Sequence, residues 1–161
     1  MYINKKGKEN IYKEVNFMDK NVTIQEMNKF LKGVHMGGTI FKDYLEKAQS
    51  LKLQSEITRI IESFRKHEEV ITKRINDLGG NAADSVGIMG GMGQLLEKIK
   101  LLTADTDEEV LEHAIKAMEM GKKNANKFIK ENKNLEESLL NDVKGVVKDY
   151  ENHLRRLQGL W

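Results

Sequence analysis

The chain of 161 residues contains no cysteine and no proline. The lack of cysteine excludes disulfide bonds, thiolate metal sites and a cysteine nucleophile, and it fits a reducing compartment. The lack of proline favours long helices, because a proline inside a helix removes a hydrogen bond and clashes with the preceding turn. At this length we expect one domain with a core of its own.

The chain also lacks a surplus of one charge and a long apolar run. Its 27 lysines and arginines nearly balance its 25 aspartates and glutamates, so it has no electrostatic footprint for nucleic acid. No apolar run approaches the roughly 18 residues that cross a membrane, and the N-terminus has no apolar stretch typical of a signal peptide. We expect a soluble cytoplasmic protein that binds neither nucleic acid nor membrane.

Apolar residues recur at three- and four-residue spacing in four segments, which predicts four amphipathic helices. Capping boxes that begin at Thr23 and Thr106, and an N-cap at Asn134, mark three of the helix starts. Gly79, followed by Gly80, marks one helix end. The predicted helices span about residues 24–50, 53–78, 107–131 and 135–158.

The connections between these helices are short, long and short, which predicts an up-down four-helix bundle with one crossover. The long connection, about 79–106, contains the sequence GIMGGMG at residues 87–93. The sequence disfavours a phosphate-binding loop, because no strand precedes the glycines and the lysine and serine or threonine of a P-loop are missing. We predict instead a short glycine-rich crossover helix that packs closely on the bundle, with a mobile lid as the alternative.

The first residues are polar, rich in lysine and without helical periodicity, so residues 1–22 are predicted to be a flexible tail. The bundle then comprises residues 23–161. Residues 13–15 can be encoded by a bacterial ribosome-binding sequence a short distance before Met18. We hypothesise that natural translation starts at Met18. The abundant lysine, asparagine and isoleucine suggest an AT-rich bacterial genome.

Four histidines, His35, His67, His113 and His153, are the candidate site residues. A short connection makes the two helices of each pair antiparallel. In this arrangement His35 lies near the level of His67, and His113 near the level of His153. His67 and His153 lie on the apolar stripes of their helices, whereas the other two lie on the flanks. Imidazole suits Zn²⁺ and Cu²⁺, so the two core histidines, with one of the others as a partner, could bind one metal ion.

The stretch from His67 to Ile75, with the sequence HEEVITKRI, resembles the second helix of ferritin-like proteins such as bacterioferritin. In that family a Glu-x-x-His motif on the second and fourth helices supplies metal ligands. His67 falls at the histidine of the first motif and His153 at the histidine of the second. Over about residues 23–158 the chain resembles a bacterial ferritin-like family of unknown function. The resemblance implies a ferritin-like bundle that often pairs with a second copy.

The carboxylates of such a di-iron site are missing at the matching positions. Phe64 and Tyr150 stand three residues before the two motif histidines, where the motif has glutamates. The other two helices each supply a further glutamate in such a site, and these positions fall near Gly37 and near Lys122. No aspartate or glutamate lies on the predicted apolar stripes, so the metal site is predicted to be degenerate.

These observations predict a non-catalytic ferritin-like bundle of unknown cellular role. It would act by self-association, as a dimer, or by binding a protein partner, and a role in stress or dormancy is one option. The alternative is a metal-binding or di-metal redox protein that holds iron, zinc or copper with the core histidines, His67 and His153. The missing carboxylates favour the first interpretation, in which the protein needs no cofactor and is not an enzyme.

Overall fold

The structure, a computed structural model, describes the backbone of residues 5–84 and 103–161 and the side chains of residues 19–84 and 103–161. Within these residues there is no strand, so the prediction of an all-α fold is confirmed. None of the described helices is long and apolar enough to cross a membrane. The helices are α1 (Lys5–Lys47), α2 (Leu51–Asp77), α3 (Asp107–Glu131) and α4 (Glu137–Gln158).

The four helices form two antiparallel hairpins. α1 packs mainly against α2, and α3 packs mainly against α4. Less extensive contacts, between α1 and α3 and between α2 and α4, join the two hairpins. This is the predicted up-down bundle with short, long and short connections. The predicted crossover helix lies in residues 85–102, outside the described residues.

The core lies where the four apolar stripes meet. Each stripe is buried at three- and four-residue spacing, as the periodicity predicts. Burying one large apolar side chain of this kind contributes about 1.5–3 kcal/mol, so the stripes hold the hairpins together. The largest fully buried side chains are Phe41, Met27, Leu31, Ile57, Ile60, Ile71, Ile75, Met118, Leu157, Val34, Val110 and Val143.

Local sequence signals explain two helix boundaries. Thr106 Oγ1 accepts from the Glu109 backbone N–H, and the Glu109 carboxylate accepts from the Thr106 N–H, which is the predicted capping box. α2 ends in a Schellman motif, in which Gly79 has a φ of +81° and the Gly80 N–H donates to the Ile75 carbonyl. Glycine suits this position because a side chain at positive φ would be strained.

The predicted start of the first helix at Thr23 is wrong. α1 begins at Lys5, and the Thr23 hydroxyl donates to the carbonyl of Asp19, one turn earlier in the same helix. A threonine hydroxyl can accept from a free N–H at a helix start or donate to a carbonyl within a helix. The sequence motif alone does not distinguish these two positions. The division into a flexible tail, residues 1–22, and a bundle stays a prediction.

The starts of α2 and α4 also differ from the predictions. α2 begins at Leu51, because Ser50 is its N-cap and accepts from the Leu53 N–H at 3.3 Å. α4 begins at Glu137 without a side-chain cap, so Asn134 is not the N-cap. A helix start without a capping side chain has no residue signature from which it can be predicted.

Candidate functional site

The centre of the bundle is filled by aromatic rings. Phe64 on α2 and Tyr150 on α4 are each 5% exposed, and their ring centroids lie 5.4 Å apart. Phe41 on α1 packs on Phe64 with a centroid distance of 5.7 Å and meets Tyr44 edge to face. Aromatic pairs at these distances stabilise a core beyond the burial of their area. The rings therefore form a stable apolar layer across the bundle.

Glycines on the other two helices face these rings. A Cβ atom at Gly37 would lie 2.4 Å from Phe64 Cε1, and one at Gly121 would lie 3.4 Å from Tyr150 Cε2. The sequence places the matching position on α3 near Lys122, but the residue that faces the ring is Gly121, and Lys122 forms an ion pair at the surface. The ring of Phe64 thus occupies the room that a larger side chain at Gly37 would need, whereas a Cβ atom at Gly121 would be in ordinary van der Waals contact with Tyr150.

Both tyrosines of this layer are neutral at physiological pH. Burial, with a smaller effect of the Asp43 carboxylate, raises the pKa of Tyr44 to about 12. Burial also raises the pKa of Tyr150, with smaller contributions from Asp149 and Glu68. Among the described side chains, no three histidines, aspartates or glutamates are placed together to hold a metal ion. The centre therefore does not fit a di-iron carboxylate site.

His67 lies at the edge of the core, between α2 and α4. Its Nε2 is 3.2 Å from Asp149 Oδ2 and 3.3 Å from Ser63 Oγ. The Ser63 hydroxyl accepts from Nε2 in the tautomer that carries the proton there and donates to Nε2 in the other. Burial lowers the pKa of His67, Asp149 opposes that shift, and the nearby His153 adds to it. The neutral form of His67 is therefore favoured in the folded protein.

His153 faces a buried carboxylate of α2. Its Nδ1 lies 3.8 Å from Glu56 Oε1, and the two side chains are 11% and 10% exposed. Neither of these two atoms has a hydrogen-bond partner within the described residues. Burial lowers the pKa of His153, Glu56 and Asp149 oppose this, and Arg59 adds to the lowering. Burial is the largest cause, so His153 is also held towards its neutral form.

The buried Glu56 corrects the prediction that carboxylates stay off the core stripes. It lies three residues after Leu53 and four before Ile60, both of which are buried, so helical spacing places it on the same face. Asp149 was missed as well, although it stands four residues before His153 on α4. The i, i+4 spacing of an acid and a histidine was the available signal.

The two remaining histidines have contacts of their own. His35 Nε2 donates to the Ala83 carbonyl at 2.8 Å, and His35 Nδ1 is 3.1 Å from Glu68 Oε1. His35 thereby ties α1 to α2 and to the start of the long connection. His113 is half-buried on α3, and its backbone carbonyl accepts from the Tyr44 hydroxyl at 3.4 Å. Of the four predicted histidines, His67 and His153 each face a carboxylate across α2 and α4, and the charge of His153 helps to lower the pKa of His67.

A third polar contact joins α2 and α4, in addition to those of His67 and His153. Arg74 Nε on α2 donates to Asp142 Oδ2 on α4 at 2.7 Å. We refer to the three contacts across these two helices as the α2–α4 interface. Its pairs are Arg74–Asp142, His67–Asp149 and Glu56–His153.

Residues 22–131 match the model of a protein family described as a domain of unknown function (DUF2383). The match covers more than half of the chain, and the chain belongs to this family. No curated protein matches it.

A solved structure of similar fold is the bacterioferritin-related protein from Bacteroides fragilis, described as a dodecameric thioferritin. The TM-score is 0.69 and the sequence identity is 14%, over 87% of this chain and 84% of that chain. At this identity the likeness shows the fold alone. The predicted ferritin-like four-helix bundle is thereby confirmed.

Proposed function

We propose that this member of a family of unknown function is a non-catalytic ferritin-like bundle that works by association, with itself or with a protein partner. The observation that carries the proposal is the aromatic layer at the bundle centre. Phe64 and Tyr150 fill the place at which a ferritin-like metal site would need carboxylates. Without those ligands the fold keeps its shape but has no means to hold two hard metal ions there.

The packing around this layer supports the same conclusion. A Cβ atom at Gly37 would collide with the ring of Phe64, so a carboxylate side chain has no room at that position. Removing either ring would open a cavity and lower the free energy of unfolding by about 3–5 kcal/mol. The rings therefore stabilise the bundle at the level where other members of the fold place metal ligands.

Self-association is supported by the fold and by its structural neighbour. The Bacteroides fragilis protein is described as dodecameric. Symmetric homo-oligomers are the most common assemblies of soluble proteins, and dimers are the most common among these. We expect a homodimer or a multiple of it, in a cytoplasm whose reducing conditions suit a chain without cysteine.

The test combines mass and metal content on one sample. The purified chain is incubated with Fe²⁺, desalted, and analysed by sedimentation velocity and by elemental analysis. We expect a mass that is a multiple of 18.5 kDa and no stoichiometric iron. Iron that remains at one or more ions per chain contradicts the non-catalytic assignment. A monomer that captures no partner from a lysate of its source organism contradicts the association.

A second candidate function is metal binding at the α2–α4 interface. Glu56 Oε1 and His153 Nδ1 are buried, face each other at 3.8 Å and lack hydrogen-bond partners within the described residues. A carboxylate and an imidazole suit Zn²⁺ or Cu²⁺. Among the described side chains no third ligand is in place, so His67 or Asp149 would have to turn towards the ion.

This second candidate is tested with a matched pair of variants. Protein loaded with Zn²⁺ or Cu²⁺ is desalted and its metal content measured for the parent chain, His153→Ala and His113→Ala. A site at the α2–α4 interface is supported if the parent chain and His113→Ala retain the metal ion and His153→Ala loses it. Absence of retained metal in the parent rejects it.

A further inference from the structure

A narrow cavity runs between α1 and α3, on the side of the bundle opposite the α2–α4 interface. Its volume is about 510 Å³. α1 lines it from Glu26 to Tyr44, and α3 lines it from His113 to Glu131. Tyr150 lines its inner side. We call this cavity the α1–α3 groove.

The groove depends on small residues in the middle of both helices. A Cβ atom built at Gly33 would meet none of the described residues within 4 Å. Gly37, one turn later, is required by the ring of Phe64, which would lie 2.4 Å from an added Cβ atom. A glycine inside a helix is less stable than alanine by about 1 kcal/mol. At Gly37, close packing against Phe64 offsets this lower helix stability. At Gly33 no contact with the described residues offsets it, and the glycine keeps the groove open.

The walls of the groove are apolar and aromatic. Phe30 and Phe128 both line it, and their rings are in contact, with centroids 4.9 Å apart. Met120 stands at its rim with 45% of its surface exposed. Methionine and aromatic side chains adapt to apolar ligands of varied shape. These walls favour a hydrocarbon over a polar ligand.

The charges at the rim are already balanced. Lys29 pairs with Glu26, Lys116 with a glutamate of its own helix, and Lys127 with Glu131. Each lysine that lines the groove therefore has an acidic partner within ion-pair distance. A negatively charged ligand would have to displace one of these acids. The rim therefore suits a neutral molecule.

The groove is long. The stretch of α1 that lines it, from Glu26 to Tyr44, rises by about 27 Å at 1.5 Å per residue. An elongated apolar molecule would contact this lining along its length.

We infer that the α1–α3 groove binds a neutral, elongated apolar small molecule that consists mainly of a hydrocarbon chain. The volume falls within the range of about 300–1,000 Å³ that small-molecule sites occupy. The inference rests on the Gly33 opening, the apolar walls and the balanced rim. It does not depend on the association proposed above.

The test uses diphenylhexatriene, a neutral and elongated fluorescent probe, titrated into the full-length chain. We expect saturable fluorescence with one probe per chain, displaced by dodecanol. Gly33→Leu directs a side chain into the groove and should weaken probe binding by about tenfold or more. Gly145→Leu is the matched control, because Gly145 is exposed on α4 and also has open space around it. It should bind the probe as the parent does.

A second variant protects the test against misfolding of Gly33→Leu. Ala117→Leu narrows the groove from the α3 wall and should reduce probe binding in the same way, with circular dichroism as the check on folding. Failure of the parent to bind the probe saturably overturns the inference, and so does undiminished binding by both folded groove variants. If Gly33→Leu instead changes the sedimentation mass while the parent binds no probe, a second copy covers the groove and the small-molecule site is wrong.

Discussion

Between α1 and α3 the two hairpins meet across glycines and apolar side chains, whereas between α2 and α4 they meet across pairs of oppositely charged or protonatable groups. The first contact leaves a groove that Gly33 keeps open. The second is bridged by carboxylates that reach a histidine or an arginine. Both contacts join the same two hairpins, but they differ in kind. The contact between α1 and α3 leaves room for the proposed ligand, whereas the contact between α2 and α4 consists of specific side-chain pairs.

The polar pairs also set how α2 and α4 lie against each other. Arg74 and His67 are seven residues apart on α2, and their partners Asp142 and Asp149 are seven residues apart on α4. Seven residues correspond to two helical turns, so the same pairing recurs along an antiparallel interface. A shift of one turn would separate both pairs. The lysines that line the groove pair within their own helices instead, and the Tyr44 hydroxyl on α1 donates to the His113 backbone carbonyl on α3.

Among the contacts that join α2 to α4, the largest expected effect concerns the buried pair. His153→Leu removes the imidazole that faces the buried Glu56 carboxylate, whose remaining partner is Arg59 at 3.6 Å, and should lower the free energy of unfolding by about 3 kcal/mol. The double variant Glu56→Met/His153→Leu should recover this loss or exceed the parent, because apolar replacements of buried ion pairs are often neutral or stabilising. Urea denaturation measures both. A double variant as unstable as the single one would show that the pair itself stabilises the fold.

The next effect compares two glycines of α1. Gly37→Ala should lower the free energy of unfolding by about 1–3 kcal/mol, because the new methyl group collides with the buried ring of Phe64. Gly33→Ala should raise it by about 0.5–1 kcal/mol, because alanine favours the helix and the added atom meets open space. Thermal and urea denaturation check both signs. Equal effects of the two substitutions would contradict the described geometry of the groove.

A pH effect should arise at the α2–α4 interface. Folding lowers the pKa of His67 and His153 from 6.5, chiefly through burial. Below that value the unfolded chain takes up protons that the folded chain does not, so stability falls as pH drops from 6.5 towards the lower folded-state pKa values. At pH values below the folded-state pKa values of the two histidines, their titration lowers the stability no further. The double variant His67→Gln/His153→Gln should show a flatter decline in urea midpoint, and an unchanged slope would argue against neutral buried histidines.

The smallest effect belongs to the more exposed ion pair. Arg74 and Asp142 have side chains that are 38% and 25% exposed, so solvent screens their attraction. Asp142→Asn should lower the free energy of unfolding by about 0.5 kcal/mol, and added salt should shrink the difference. A loss as large as that of His153→Leu would remove the distinction drawn here between exposed and buried pairs.

Much of the fold could be predicted from the sequence because its signals act within one helix. The apolar stripes repeat every three or four residues, and the capping box at Thr106 involves neighbours in the chain. The same reasoning placed the aromatics Phe64 and Tyr150 at the centre, where both are buried. It failed at Thr23, because a hydroxyl satisfied within a helix has the same sequence context as one that begins a helix.

The candidate sites were harder to predict, because they depend on what stands across from a residue. Glu56 looked like a solvent-facing acid until α4 placed His153 beside it. In the same way, Gly33 and Gly37 have the same residue type and lie one turn apart on α1. A Cβ atom at Gly33 would meet none of the described residues, whereas one at Gly37 would collide with the ring of Phe64.

By itself the sequence determined the four helices, their stripes, the absence of cysteine chemistry and the loss of the motif glutamates, since these follow from residue type and local spacing. Only the tertiary structure decided which glycine opens a groove, which histidine meets a buried acid and which carboxylate lies in the core. The physical reason is that contacts between helices depend on their relative rotation and offset. Helical periodicity specifies which face of a helix is apolar, but not which residue of a neighbouring helix it will meet.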